Sequence, residues 1–186
     1  MFSKGLYVWL FILALPFTFA SAPTQEEGTY DEKVRTLLEI VGDTSLQQTA
    51  PDRVIQAIQE LGRLKAKEGA QSLVKLLAFK RTWPGEHSAD GTITEIHTLT
   101  PASRYPAVGA LMEIGKGSLP ALLKAIETHE SSSLETENAM EVILYLSRDE
   151  ASEMYDRLKA AAAKASTTEG SERLLKAANT LRERTP

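Results

Sequence analysis

The sequence predicts an all-α fold: a right-handed α-solenoid of about three helical hairpins, with capping helices and one inserted loop or β-hairpin. Three observations lead there. Between Arg104 and Glu127 the chain reads RYPAVGALMEIGKGSLPALLKAIE, in which Ala107, Ala110, Leu111 and Ile114 recur at helical spacing. After Gly115-Lys116-Gly117 a second apolar set follows at Leu119, Leu122, Leu123 and Ile126, so the stretch predicts two helices folded back on one another. The same pattern then returns on both sides of it.

A shift of 32 residues carries Ala107, Leu111, Ile114, Leu122 and Ile126 onto Ala139, Ile143, Leu146, Met154 and Leu158, apolar onto apolar. In the other direction, Ala110, Leu111, Ile114 and Gly115 match Ala57, Ile58, Leu61 and Gly62. Leu122, Leu123 and Ile126 match Leu73, Val74 and Leu77 in the helix that follows. Self-similarity on this scale marks an array in which no helix pair can bury its apolar face alone. The runs AIQELGRLKAKEGAQSLVKLL (Ala57 to Leu77) and ALMEIGKGSLPALLKAI (Ala110 to Ile126) resemble the short bacterial HEAT-like repeats of phycobilisome-lyase relatives. The resemblance covers roughly Asp52 to Ala163. It implies a binding scaffold and no chemistry, because repeats supply surface and function must be argued from a site.

The first twenty residues are set apart from the fold. Lys4 precedes an unbroken apolar run, Leu6 to Leu15, and small residues suited to cleavage follow at Thr18-Phe19-Ala20. This is the pattern of a secretory signal spanning 1–20, which implies a secreted or periplasmic protein. The alternative is an uncleaved tether to the membrane. Leu6 to Ala20 would extend only about 22 Å as a helix, short of the roughly 30 Å hydrocarbon core.

Composition narrows the function classes. The absence of cysteine removes disulfides, thiolate metal sites and a cysteine nucleophile. A net charge of −4 argues against nucleic acid, which calls for a basic face. Only 6% of residues are aromatic, which fits thin alanine- and leucine-rich packing between short helices.

Along the chain, 21–30 is expected as a polar, flexible leader and 31–186 as the HEAT-like helical domain, with an insertion at 82–101. Asp31 is placed to cap a helix carrying Val34, Leu37, Leu38 and Val41 and ending at Gly42. Thr44 to Ala50 is expected as a polar connection. Pro51 opens the next helix, with Val54, Ile55, Ile58, Leu61 and Leu64 inward and Gly62 tolerated at some cost. Lys65 to Glu68 turn the chain and Gln71 to Lys80 return it. The repeat is then interrupted at 82–101, where Thr92 to Thr100 is rich in β-branched residues and predicts a strand pairing with Lys80 to Trp83. After the central pair, Leu134 to Leu146 forms a helix and Asp149 is placed to cap its partner. Ser166 to Gly170 breaks the chain before a closing helix, Ser171 to Arg184, with Leu174, Leu175, Ala178 and Leu181 inward.

Chemistry-bearing motifs are sparse. His87 and His97 lie in the insertion near Glu86, Asp90 and Glu95, types that suit zinc, but at no spacing that defines a zinc motif. Gly115-Lys116-Gly117-Ser118 lacks the strand and further glycine of a phosphate-cradling loop, and is expected to be a turn. Catalytic residues, cofactors and metal are therefore expected to be none. The expected function is binding of another protein, with Trp83, His97, Arg104 and Tyr105 as contacts, because aromatic and arginine side chains anchor partners. The rival is an enzyme or metal-dependent accessory factor with its site in 82–101; a structural spacer in an envelope assembly is a third reading.

Overall fold

The computed structural model describes residues 25–81, 100–129 and 133–184, with side chains described from residue 29 onward. Every regular element among them is helical. The helices are α1 (Gln25–Gly42), α2 (Thr44–Thr49), α3 (Pro51–Arg63), α4 (Ala70–Leu73), α5 (Pro101–Arg104), α6 (Pro106–Ile114), α7 (Leu119–Thr128), α8 (Leu134–Leu146), α9 (Ala151–Ala162) and α10 (Thr168–Arg184). The signal segment lies outside the described residues, as does the strand expected over 92–100 except for Thr100. No described helix is long and apolar enough to cross a membrane.

The helices pack in an order that skips across the sequence. α3 lies against α1 on one side and against α6 on the other, and α6 lies in turn against α8. α7 contacts the turn after α4, then α8, α9 and α10, and α9 and α10 form a tight antiparallel pair. One continuous core results. Ile58, Leu61, Leu73, Leu77, Leu111, Leu122, Ile126, Ile143, Leu158, Leu174 and Leu181 are its largest fully buried members. All but Leu174 and Leu181 come from positions that define the repeat or its copies in sequence, and those two are the inward residues of α10.

Two local devices fix the geometry. Gly62 is where α3 meets α6: a Cβ there would lie 2.8 Å from the Ala110 Cα, so glycine permits the close approach. Its cost in helix propensity is offset by packing. At the far end of the short return after α3, a 3-10 turn over Val74–Leu76 ends with the Leu77 carbonyl inside the protein. The side chain of buried Asn138, on α8, donates to that carbonyl at 2.6 Å. Buried carbonyls require partners, and this one is supplied from 61 residues away.

Several local expectations need correction. α1 begins at Gln25, so residues 25–30 of the expected leader are helical and Asp31 lies within the helix, not at its cap. Thr44 to Thr49 forms a short helix capped by Asp43, whose Oδ1 accepts from the Ser45 and Leu46 amides. Glu150, not Asp149, stands at the N-cap of α9, and its side chain makes no capping bond. α10 starts at Thr168 and includes Gly170, which is buried against Glu127, while Leu175 faces solvent. Helical structure resumes at Pro101, the last residue of the expected insertion, because Thr100 caps α5 by accepting from the Ser103 amide.

Candidate functional site

The four expected contact residues separate into two pairs. Trp83 and His97 lie outside the described residues, as do His87 and the carboxylates near it. Arg104 and Tyr105 occupy the junction between α5 and α6 and are half-buried. Tyr105 packs against the core, and its extended backbone lets the chain turn from one helix into the next, helped by Pro106 at the first helical position. The Arg104 carbonyl accepts from the Arg81 amide at 2.9 Å, which joins the two ends of the interruption. The Arg104 Nε is buried without a hydrogen-bond partner.

Directly beside this junction a groove of about 390 Å³ runs between α5 and α6 on one side and α8 on the other. Pro101, Ala102 and Met112 line the first side, and Glu141, Leu144, Tyr145 and Arg148 the second. Tyr145 is 44% exposed, against a core whose large side chains are almost all covered. The Arg148 guanidinium lies over the Tyr145 ring, 4.9 Å from its centroid. Stacking of this kind holds a long, otherwise mobile side chain against a rigid ring.

Helix α8 owes this surface to a second stripe. Its buried stripe, Ala139, Val142 and Ile143, faces the core. Met140, Leu144 and Tyr145 form an outer stripe at helical spacing and are only partly covered. Sequence reasoning did not single out Tyr145 or Arg148. The available signal was the 32-residue shift, which places Tyr145 on Glu113, an exposed charged position in the preceding pair. The shift thus sets an exposed aromatic residue where the neighbouring copy carries a charge.

A second groove, of about 270 Å³, lies between α8 and α10. Arg184 pairs with Glu141 across it at 3.5 Å. Further along, Arg173 donates from Nε at 3.0 Å and from Nη2 to the Glu127 carbonyl at the end of α7, so its guanidinium is committed to holding α10 in place. Among the described residues no group of three His, Asp or Glu side chains could hold a metal ion.

Carboxylates with strongly shifted pKa values lie away from the first groove. Glu127 is held down at about 2, chiefly by the Ser166 hydroxyl, with help from the Ser166 amide and Lys124. Glu60 is also lowered to about 2, first by Arg63 and then by Lys33. Both shifts follow from hydrogen bonds and ion pairs, within α3 and to α1 for Glu60 and to the turn after α9 for Glu127, and neither group lines either groove described above. Compared with family models, curated proteins and solved structures, the chain shows no significant match.

Proposed function

We propose that this chain is a secreted or periplasmic scaffold of HEAT-like helical hairpins that binds another protein and performs no chemistry of its own. On this reading α3, α6 and α8 are the first helices of three stacked hairpins, α4, α7 and α9 are the second, and α1 and α10 are the caps. The order in which these helices pack, first helix on first helix, supports the reading, as does the recurrence of the apolar pattern in the sequence. The localisation rests on the N-terminal pattern alone.

One observation carries the binding assignment: an exposed tyrosine stacked by an arginine on the rim of an apolar groove. Tyrosine, arginine and methionine are the residue types enriched at the centres of protein interfaces. The groove also begins where the interruption of the repeat rejoins the helices, and insertions in such arrays tend to mark the binding face.

The test is affinity capture from cell envelope with the tagged chain, beside Tyr145→Ala and a variant in which 82–99 is replaced by a short Gly/Ser connection. The expected result is loss of one specific partner in Tyr145→Ala with helicity and Tm retained. Retention of every partner by Tyr145→Ala would place the functional surface elsewhere. Cell fractionation of the full chain tests the export assignment separately.

A further inference from the structure

We infer that the groove between α5, α6 and α8 takes a short amphipathic helix of the partner, about two turns long, with an acidic residue placed over Arg148. This rests on the protein-binding reading above and specifies its ligand.

The form of the ligand follows from the walls. Both sides of the groove are built from helices, and no strand occurs among the described residues, so there is no sheet edge to pair with an extended peptide. An extended occupant would bury backbone N–H and C=O groups without partners, whereas a helix satisfies its own. The length follows from the wall made by the end of α8 and the turn after it, whose groove-lining residues run from Glu141 to Arg148. The helical part, Glu141 to Leu146, rises about 8 Å at about 1.5 Å per residue, and the turn to Arg148 extends the wall enough to face about two helical turns. Met112, Leu144 and Tyr145 offer apolar surface along it, which suits two apolar anchors spaced i, i+3 or i, i+4.

The charge follows from which groups are already engaged. Glu141, at one end of the wall, pairs with Arg184. At the other end Arg148 is held over Tyr145, and no carboxylate among the described residues forms an ion pair with it. Its neighbour Glu150 is taken by Lys116, and Asp149 does not line the groove. A guanidinium stacked on a ring still offers its in-plane N–H groups, in the fork geometry that matches a carboxylate. The ligand is thus apolar on one face and acidic at the edge that meets Arg148.

The experiment is selection of a displayed library of scaffolded helices, randomised over two turns, against the full chain. Selected binders are then measured by fluorescence anisotropy against the wild type, Tyr145→Ala, Arg148→Glu and Arg148→Ala. The expected binders carry two apolar anchors and an Asp or Glu one turn away. Their affinity should fall at least about tenfold with Arg148→Glu, as for loss of a charge-assisted hydrogen bond, and recover when the acidic residue is changed to Lys. Binders with no acidic preference, binding unchanged in Arg148→Glu, no recovery on charge reversal, or selection of no groove-dependent binder would each overturn the inference. So would self-association abolished by Tyr145→Ala, which would make a second copy the occupant. A captured envelope partner that is lost with Tyr145→Ala but kept with Arg148→Glu would leave the scaffold reading standing and remove only the acidic helix. A partner kept by both variants would remove the scaffold reading at this surface.

Discussion

Glu127 and Ser166, 39 residues apart, are joined by two hydrogen bonds: the Ser166 amide and hydroxyl both donate to Oε1 of Glu127, at 2.8 and 2.6 Å. The other carboxylate oxygen accepts from Lys124 at 3.0 Å, so α7 holds the turn between α9 and α10 through one side chain. These bonds favour the ionised form and lower the Glu127 pKa from 4.5 to about 2.

A carboxyl with a depressed folded pKa binds more protons unfolded than folded, so it contributes stability above its unfolded value that is lost as pH falls through the folded one. For Glu127 that window runs from about 4.5 down to about 2. Glu60 titrates over the same window through Arg63 and Lys33. Ser166→Ala separates the two, because it touches Glu127 alone. Urea unfolding at several pH values should show a shallower loss of stability between pH 4.5 and 2 in Ser166→Ala than in the wild type. An identical slope would mean that the Ser166 hydroxyl bond does not persist in solution.

Asn138 and the Leu77 carbonyl form the second long-range tie. Asn138→Leu keeps the volume roughly constant but leaves a buried carbonyl without its donor, at a cost of about 1–3 kcal/mol. Asn138→Asp should cost more near neutral pH, because it sets an ionised carboxylate against a carbonyl oxygen, and part of the loss should return on acidification. Chemical denaturation at pH 7 and pH 5 measures both. If Asn138→Leu matched the wild type, the bond would contribute nothing.

Three glycines should respond differently to alanine, each for its own reason. At Gly42 nothing lies within 4 Å of the added Cβ, and the exposed helix end should be stabilised by about 0.4–1 kcal/mol through the unfolded state. Gly62→Ala collides with the Ala110 backbone, and an overpacking cost of about 1–3 kcal/mol outweighs a propensity gain of about 1 kcal/mol. Gly115 has open space but a φ of 72° and ψ of −143°, a conformation that costs other residues about 1–3 kcal/mol. Tm ranking should therefore read Gly42→Ala highest, with the other two below the wild type.

Lys65 is a residue other than glycine with a positive φ, at 51°. It stands just past the end of α3, where its amide donates to the Gly62 carbonyl at 2.8 Å and the Ala66 amide donates to the Leu61 carbonyl at 3.0 Å. These two bonds are the Schellman termination, which favours glycine at the left-handed position. Lys65→Gly should raise stability by up to about 1 kcal/mol, because the left-handed strain of about 1–2 kcal/mol is partly offset by glycine's greater freedom when unfolded. A lower Tm would show that the lysine side chain contributes more than its backbone costs.

The helical class and the buried stripes were legible in the sequence because apolar periodicity records burial directly. Val54, Ile58, Leu61, Leu111, Leu122 and Leu158 are all buried as their spacing requires. The helix starts were less legible: Asp31 and Asp149 are good capping types, but the chain continued its helix through the first and passed the cap to Glu150 after the second. Capping preference is worth only about 0.5–2 kcal/mol, and packing decides where a helix begins. Arg173, not among the residues expected inward, is half-buried because the carbonyl end of α7 offers a partner. The candidate groove was not legible, because Pro101, Met112 and Tyr145 come together only once α5 and α6 are packed beside α8. Leu175 misled for the converse reason: an apolar residue in a capping helix can face water with no structural penalty.

The bond from the Arg81 amide to the Arg104 carbonyl makes the boundary of the helical body behave as a splice point. α3 and α6 meet beside it through their own residues, with Gly62 against Ala110. For a flexible link, doubling the length adds only about 0.6 kcal/mol of closure entropy. A foreign peptide inserted between Arg81 and Thr100 would thus be held at both ends beside the same groove, and the scaffold becomes a carrier on which one insert after another can be displayed.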